Sequence, residues 1–292
     1  MNGYSPTETV RHARGDASPV RLGRVLRGGA FVMLFAAYTI AIIGLGQRLV
    51  LWPAFLLMPR RRTSLTRAWL RLQAHATMAM ARIVAGVRVQ IQGAIPPESC
   101  IVLMNHQSVL DIPLGISLIP GPQTVIPTRD RYRRGVPGIS PLVRLAKFPL
   151  VSQGRTITRE ELGALTEASE RVGRGELCLL IFPEGHRTRD GRLGRFMRGG
   201  LRIVFAHARR PVFCIVADGM TTARTAVDVV AGLASKDLHV RILGPFTPPS
   251  DATAESTDEF VDSLHRQMTE TLASMRREGS DEHGRASSVA AH

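Results

Sequence analysis

Apolar positions in this chain fall into one long uncharged stretch near the start, followed by short pulses that alternate between strand-like and helix-like period. Residues Gly28 to Gly46 carry no charge, and a second apolar run from Leu49 to Met58 is interrupted at Pro53 and closed by Arg60-Arg61-Arg62. A helix needs about 20 apolar residues to cross a bilayer, and the first run reaches that length. Three readings follow: a single span, a helical hairpin dipping into one leaflet with its arginines on anionic head groups, or a buried core helix. Basic residues stand on both sides (Arg21, Arg24 and Arg27 before, Arg60 to Arg62 and Arg67 after), so charge does not select an orientation. The run lies far from Met1 and no small-x-small site precedes a globular start, which argues against a cleaved signal peptide. Residues 1–27 are polar and rich in Gly, Ser, Pro and Arg, the composition of a disordered basic arm.

Beyond Arg62 the pulses become regular. Trp69 to Ala85 places Leu70, Ala74, Met78 and Ala81 on one helical side and stops at Gly86; Val87 to Ile91 alternates as a strand does. Strands are expected at Cys100 to Met104, Phe148 to Val151, Leu177 to Phe182, Val212 to Val216 and Leu238 to Leu243, and a further apolar pulse lies at Thr124 to Ile126. Helices are expected after Ser108, over Leu142 to Ala146 and from about Gly200 to Ala208. Thr158-Arg159-Glu160-Glu161 reads as a capping box opening a helix with Leu162, Leu165, Ala168 and Val172 on one stripe, ended by Gly173 and Gly175. A last amphipathic helix carries Phe260, Leu264, Met268 and Leu272. Strands alternating with helices predict an α/β fold, a mostly parallel sheet covered by helices on both faces. The expected organisation is a disordered arm (1–27), a membrane-attachment segment of one helix or a helical hairpin (28–62), a catalytic domain (63–250), a C-terminal amphipathic helix (251–278) and a disordered tail (279–292).

Charge narrows the partners. Thirty-eight basic against 24 acidic residues give a formal charge of +14, and all but Lys147 and Lys236 of the basic residues are arginine. Such a balance calls for an acidic partner: nucleic acid, anionic lipid or a phosphorylated substrate. Aromatic residues make up only 5% of the chain, which leaves few surfaces for stacking bases, so nucleic acid is the weakest of the three. Cys100, Cys178 and Cys214 lie in apolar runs without paired or C-x-x-C spacing, the usage of small buried hydrophobes rather than of disulfides or a metal site.

Two stretches carry candidate chemistry, and each follows a strand-like run: Asn105-His106-Gln107-Ser108-Val109-Leu110-Asp111 and Phe182-Pro183-Glu184-Gly185-His186-Arg187-Thr188. Ligands in open α/β sheets bind beyond the carboxyl ends of the strands. With His106 on the loop and Asp111 in the first turn of a helix, the carboxylate can fix the tautomer of the imidazole and leave its other nitrogen as a general base. No G-x-S-x-G nucleophile is present, so the simplest chemistry has His106 deprotonate a substrate hydroxyl that attacks an activated carbonyl directly. The plainer alternative is that Ser108-x-x-Asp111 is only a capping box. In the second stretch Gly185 permits an unusual backbone angle and Arg187 can grip a phosphate with two parallel bonds; the plainer alternative is a Pro-Glu-Gly turn with a solvated arginine. Arg189, Arg192, Arg195 and Arg198 continue the positive charge.

Taken together and in this order, Asn105-His106-x-Ser108-x-x-Asp111 and Phe182-Pro183-Glu184-Gly185-x-Arg187 resemble the paired signatures of the 1-acylglycerol-3-phosphate acyltransferase family, over roughly Val87 to Val216 and loosely to Leu243. The resemblance implies a catalytic pair at His106 and Asp111. It implies acceptor contacts at Glu184, Gly185 and Arg187, flanked by Asn105 and Ser108, with Arg129 and Arg155 as further phosphate candidates. It also implies a fatty acyl thioester on coenzyme A or acyl carrier protein as donor, a lysolipid acceptor, neither cofactor nor metal, no acyl-enzyme, and a catalytic domain on the cytoplasmic side of the cell membrane. Three departures stand out: His186 where the family commonly has Thr, a blurred intermediate basic motif, and only Pro211 of the two prolines usual around the later strand. These leave the acceptor open between 1-acylglycerol 3-phosphate and a lyso-aminolipid, such as a lyso-ornithine lipid, or another lysophospholipid. A basic nucleic-acid-binding protein and an inactive membrane scaffold are the rival classes.

Overall fold

The computed structural model describes residues 19–136, 139–152, 158–222, 228, 232–251 and 253–289. The chain enters as a helical rod. Helix α1 (Pro19–Tyr38) runs into a segment wound at the wider π repeat (Thr39–Leu51) and then into α2 (Trp52–Leu57). Helix thus begins nine residues inside the expected disordered arm, and the rod does not break at Gln47-Arg48. Pro53 sits in the first turn of α2, where a missing N–H costs little. The reversal comes instead at Pro59–Arg61, and the returning arm is α3 (Arg62–Ile83). The 28–62 segment, expected as one helix or a helical hairpin, is thus helical as far as Leu57, with the turn at its end. Phe31 of the rod is buried with Ala74 and Met78 of α3, while Tyr38 donates to the Gln73 carboxamide oxygen. The expected stripe of α3, Leu70, Ala74, Met78 and Ala81, is buried.

After Gly86 the strands β1 (Arg88–Gln92), β2 (Ile101–Met104), β3 (Gln123–Val125), β6 (Leu177–Ile181), β7 (Val212–Asp218) and β8 (Asp237–Phe246) form one sheet in the order β1-β8-β7-β2-β6-β3. The four strands β7, β2, β6 and β3 are mutually parallel, whereas β8 runs antiparallel to β7 and β1 follows β8. A short pair, β4 (Thr128–Arg129) with β5 (Leu150–Val151), lies apart from it.

Period-two alternation divides the central strands between two cores. Val102, Met104, Cys178, Leu180, Phe213 and Ile215 point to one side, where α3 and α4 (Asp111–Leu118) cover them. Ile101, Leu103, Leu177, Leu179, Val212 and Cys214 point to the other, under α6 (Arg159–Gly173), α7 (Arg198–His207) and α8 (Ala254–Val289). The remaining helix, α5 (Ile139–Ala146), precedes β5. Burial on both faces explains why these strands read as continuous apolar runs. The capping box of α6 is complete, Thr158 accepting from Glu161 N and the Glu161 carboxylate accepting from Thr158 N. Leu162, expected on the buried stripe, is exposed; Leu165, Ala168, Ser169 and Val172 form it instead. The last helix continues to Val289, past the point where a disordered tail was expected from residue 279.

Candidate active site

Because β7, β2 and β6 are parallel neighbours, their carboxyl ends open on the same rim of the sheet. The loop after β2 carries His106, the turn after β6 carries Glu184 to Arg187, and β7 ends on Asp218. Residues far apart in sequence therefore converge, and the Thr188 amide donates to the His106 carbonyl at 2.7 Å.

His106 and Asp111 meet as their spacing predicted. Nδ1 of His106 lies 2.9 Å from Oδ2 of Asp111, and the carboxylate is almost fully buried. The same oxygen accepts from the amides of Gln107 and Ser108, both at 2.6 Å. A carboxylate oxygen serving two N–H donors is an acceptor, so Nδ1 carries the proton and Nε2 presents a lone pair. The imidazole, 14% exposed, stacks on Phe182 with ring centroids 4.2 Å apart. The capping-box alternative is only half met: the Asp111 carboxylate accepts from Ser108 N, but the Ser108 hydroxyl accepts from Leu110 N, and Leu110, the residue that caps α4, makes no side-chain cap bond.

Three expected acceptor contacts face inward. The Asn105 carboxamide is buried and spent on the backbone of Ala217, donating to its carbonyl and accepting from its amide, each at 2.8 Å. Ser108 is fully buried, and its hydroxyl accepts from Leu110 N at 3.2 Å. Glu184, 2% exposed, accepts from His106 N at 2.9 Å through Oε1 and from Gly194 N at 2.7 Å through Oε2. Burial raises its pKa above the usual carboxylate value, against the lowering effect of those two amides. The bonds described for these three side chains hold loops together. A Cβ at position 194 would stand 2.9 Å from the Glu184 carboxylate, so the close approach requires glycine there.

On the turn after β6 Gly185 and His186 are exposed, and Arg187 and, on the β4–β5 pair, Arg129 are half-buried. Gly185 adopts φ +69, as the turn requires, with the Met197 sulfur packed where a side chain would begin. His186 is exposed and its Nδ1 lies 2.6 Å from the Glu184 carbonyl. Arg129 reaches across from the β4–β5 pair to donate to the Gly185 carbonyl at 3.1 Å. Its pKa is lowered by burial and by the nearby Arg131 and Arg187 cations, the signature of positive charge gathered at one place. Arg155 lies outside the described residues. Among those described, no group of three or more His, Cys, Asp or Glu is placed to hold a metal ion.

Sequence reading passed over Gln107, Asp218 and Arg276. Gln107 Nε2 donates to Asp218 Oδ1 at 3.0 Å, and Arg276 of α8 grips both oxygens of Asp218 at 2.9 Å. Asp218 could have been suspected as a carboxylate at a strand end. Arg276 gave no signal, since its position on an amphipathic helix is that of any solvated arginine.

The sequence profile of a family described as Acyltransferase matches residues 86–218, the span that contains every motif residue above. Among curated relatives, the Homo sapiens 1-acyl-sn-glycerol-3-phosphate acyltransferase alpha is 24% identical over 197 residues, covering 66% of this chain and 67% of its own length. The Cocos nucifera 1-acyl-sn-glycerol-3-phosphate acyltransferase is 26% identical over 222 residues, 74% of this chain and 70% of the relative. The Ovis aries alpha relative is matched over only 45% of its length. Among solved structures, the 1-acyl-sn-glycerophosphate (LPA) acyltransferase PlsC of Thermotoga maritima superposes with a TM-score of 0.64 at 20% identity, covering 86% of this chain and 98% of that one, and so shares the fold. With both motifs on one sheet rim inside the matched span, residues 86–218 form an acyltransferase domain, and the chain is an acyltransferase similar to the 1-acyl-sn-glycerol-3-phosphate acyltransferases.

Proposed function

We propose that the protein transfers a fatty acyl group from a thioester, on coenzyme A or an acyl carrier protein, to the free hydroxyl of 1-acylglycerol 3-phosphate, yielding phosphatidate. The observation that carries the reading is the 2.9 Å contact of His106 Nδ1 with Asp111 on the rim that also holds Arg129 and the Gly185–Arg187 turn. Nε2 of His106 takes the hydroxyl proton as the oxygen attacks the thioester carbonyl, and Asp111 stabilises the imidazolium. The C–S bond then breaks, and the imidazolium returns the proton to the departing thiolate. No acyl-enzyme or cofactor enters this scheme. Arg187 and Arg129 supply cations for the acceptor phosphate.

The same reading places the enzyme at a membrane. Leu22–Leu57 is a helix with a window of mean hydropathy 2.0, of which only 17% is buried. Leu49, Trp52, Leu56 and Leu57 are largely exposed, as apolar side chains facing lipid would be. The flanking arginines suit anionic head groups, and the catalytic domain then lies on the cytoplasmic side.

Thioester-dependent acylation of a lysolipid panel by the purified protein in vesicles tests the proposal. Thiol release that requires 1-acylglycerol 3-phosphate supports it, and thiol release with no lysolipid acylated overturns it. His186, an exposed imidazole on the acceptor turn, favours including a lyso-aminolipid and other lysophospholipids as competitors; preference for one of those would reassign the acceptor and keep the chemistry.

A further inference from the structure

The His106 loop is held from outside the matched acyltransferase span. Arg276 lies on α8, 58 residues beyond the end of that span. Its Nε donates to Asp218 Oδ2 at 2.9 Å, and its Nη2 donates to Asp218 Oδ1 at 2.9 Å and to the Gly191 carbonyl at 2.6 Å. One guanidinium thereby joins the end of β7 to the loop that follows the second motif.

Both ends of that bridge lead to His106. Asp218 also accepts from the Gln107 carboxamide, the residue next to His106. Gly191 belongs to the loop whose Gly194 amide meets Glu184, the carboxylate that holds the His106 amide. Thr188 of the same loop donates its amide to the His106 carbonyl. The base is thus gripped at its own N–H, its own carbonyl and its following side chain, and Arg276 closes the circuit. A planar fork can satisfy two carboxylate oxygens and a carbonyl at once, whereas an ammonium cannot reproduce that geometry.

We infer that Arg276 is a positioning residue for the acyltransfer step: by clamping Asp218 to Gly191 it fixes the loop that aims His106. The inference rests on the proposed role of His106 as the base. Displacing a catalytic group by about 1 Å through a remote change can cost about 10²-fold in rate. Arg276→Ala should therefore lower kcat about 10²-fold while KM for donor and acceptor holds, since the guanidinium bonds Asp218 and the Gly191 carbonyl.

The test compares the parent with Arg276→Ala, Arg276→Lys and the exposed control Arg277→Ala in vesicles, with and without millimolar guanidinium chloride. Expected are parent-like kcat for Arg277→Ala, a loss in Arg276→Ala that guanidinium but not sodium chloride partly restores, and little rescue by lysine. Asp218→Asn, which keeps shape and weakens the grip, should lower kcat in the same way. Parent-like kcat in Arg276→Ala overturns the inference. So does a loss accompanied by unfolding that guanidinium does not reverse, provided Asp218→Asn is folded and fully active. If the parent itself acylates nothing, the proposed function has failed, an outcome distinct from either of these.

Discussion

Asp111 and His106 share more than an ion-pair contact: the oxygen that meets Nδ1 at 2.9 Å is the one that accepts the Gln107 and Ser108 amides. The carboxylate that orients the base also builds the loop on which the base sits. Removing it differs from removing the base. His106→Ala should leave the fold intact and lower kcat by about 10²–10⁴-fold, the usual contribution of a general base. Asp111→Ala should in addition destabilise the protein, because two buried amides lose their acceptor at about 1–3 kcal/mol each. Urea denaturation beside single-turnover assays separates the two, and equal stability of the variants would refute the shared role.

Glu184 offers a sharper discrimination. If its carboxylate held the acceptor, Glu184→Gln would chiefly raise KM. Its two bonds go to the His106 and Gly194 amides instead, and a carboxamide has one acceptor oxygen for two donors. The expected result is a loss of about 1–3 kcal/mol in stability together with a lower kcat. A pure KM effect in a protein of parental stability would restore the substrate-contact role.

Arg129 donates to the Gly185 carbonyl with the Arg187 cation nearby, and under the proposed function loss of either arginine should act on binding. Charge-assisted hydrogen bonds contribute about 1.5–3 kcal/mol, hence Arg187→Ala should raise KM for a phosphate-bearing acceptor roughly 10- to 100-fold. An acceptor lacking phosphate should show little change. Equal effects on both acceptors would remove the phosphate from the account.

The Asp218–Arg276 pair carries a pH signature. Burial alone would raise the Asp218 pKa, but Arg276 and Gln107 outweigh it and the value lies below that of an ordinary carboxylate. Its contribution to stability is therefore fully present above the unfolded value of about 3.9 and is lost as pH falls through the lower folded value. Arg276→Ala should be less stable than the parent near neutrality, and the two stability curves should converge in acid. Curves that stay parallel down the acid limb would show that the pair contributes nothing.

Leu56 and Leu57 are exposed and pack on no core, so Leu56→Ser with Leu57→Ser should leave thermal stability unchanged. Each leucine side chain contributes about 1.5–3 kcal/mol when removed from water, and the pair should therefore weaken vesicle binding at least about tenfold. Unaltered sedimentation with vesicles would place the membrane contact elsewhere.

Much of this architecture follows from local pattern. The uninterrupted apolar runs of β2, β6 and β7 read as strands buried on both faces, and Thr158 with Glu161 fixed where α6 begins. The His106–Asp111 pair was legible because both residues lie within one strand–loop–helix turn, close enough for spacing to specify contact. What spacing could not reach was direction. Whether Asn105, Ser108 and Glu184 face substrate or backbone depends on which strands neighbour β2, and only the β7-β2-β6 register settles that they turn inward. Leu162 fell outside the core for the same reason, since the stripe of α6 is chosen by what packs against it. The reversal at Pro59–Arg61 depends on α3 finding Phe31, a contact between segments some 45 residues apart. Arg276 is the extreme case: its chemistry is invisible along the helix and arises only where α8 crosses the ends of the strands.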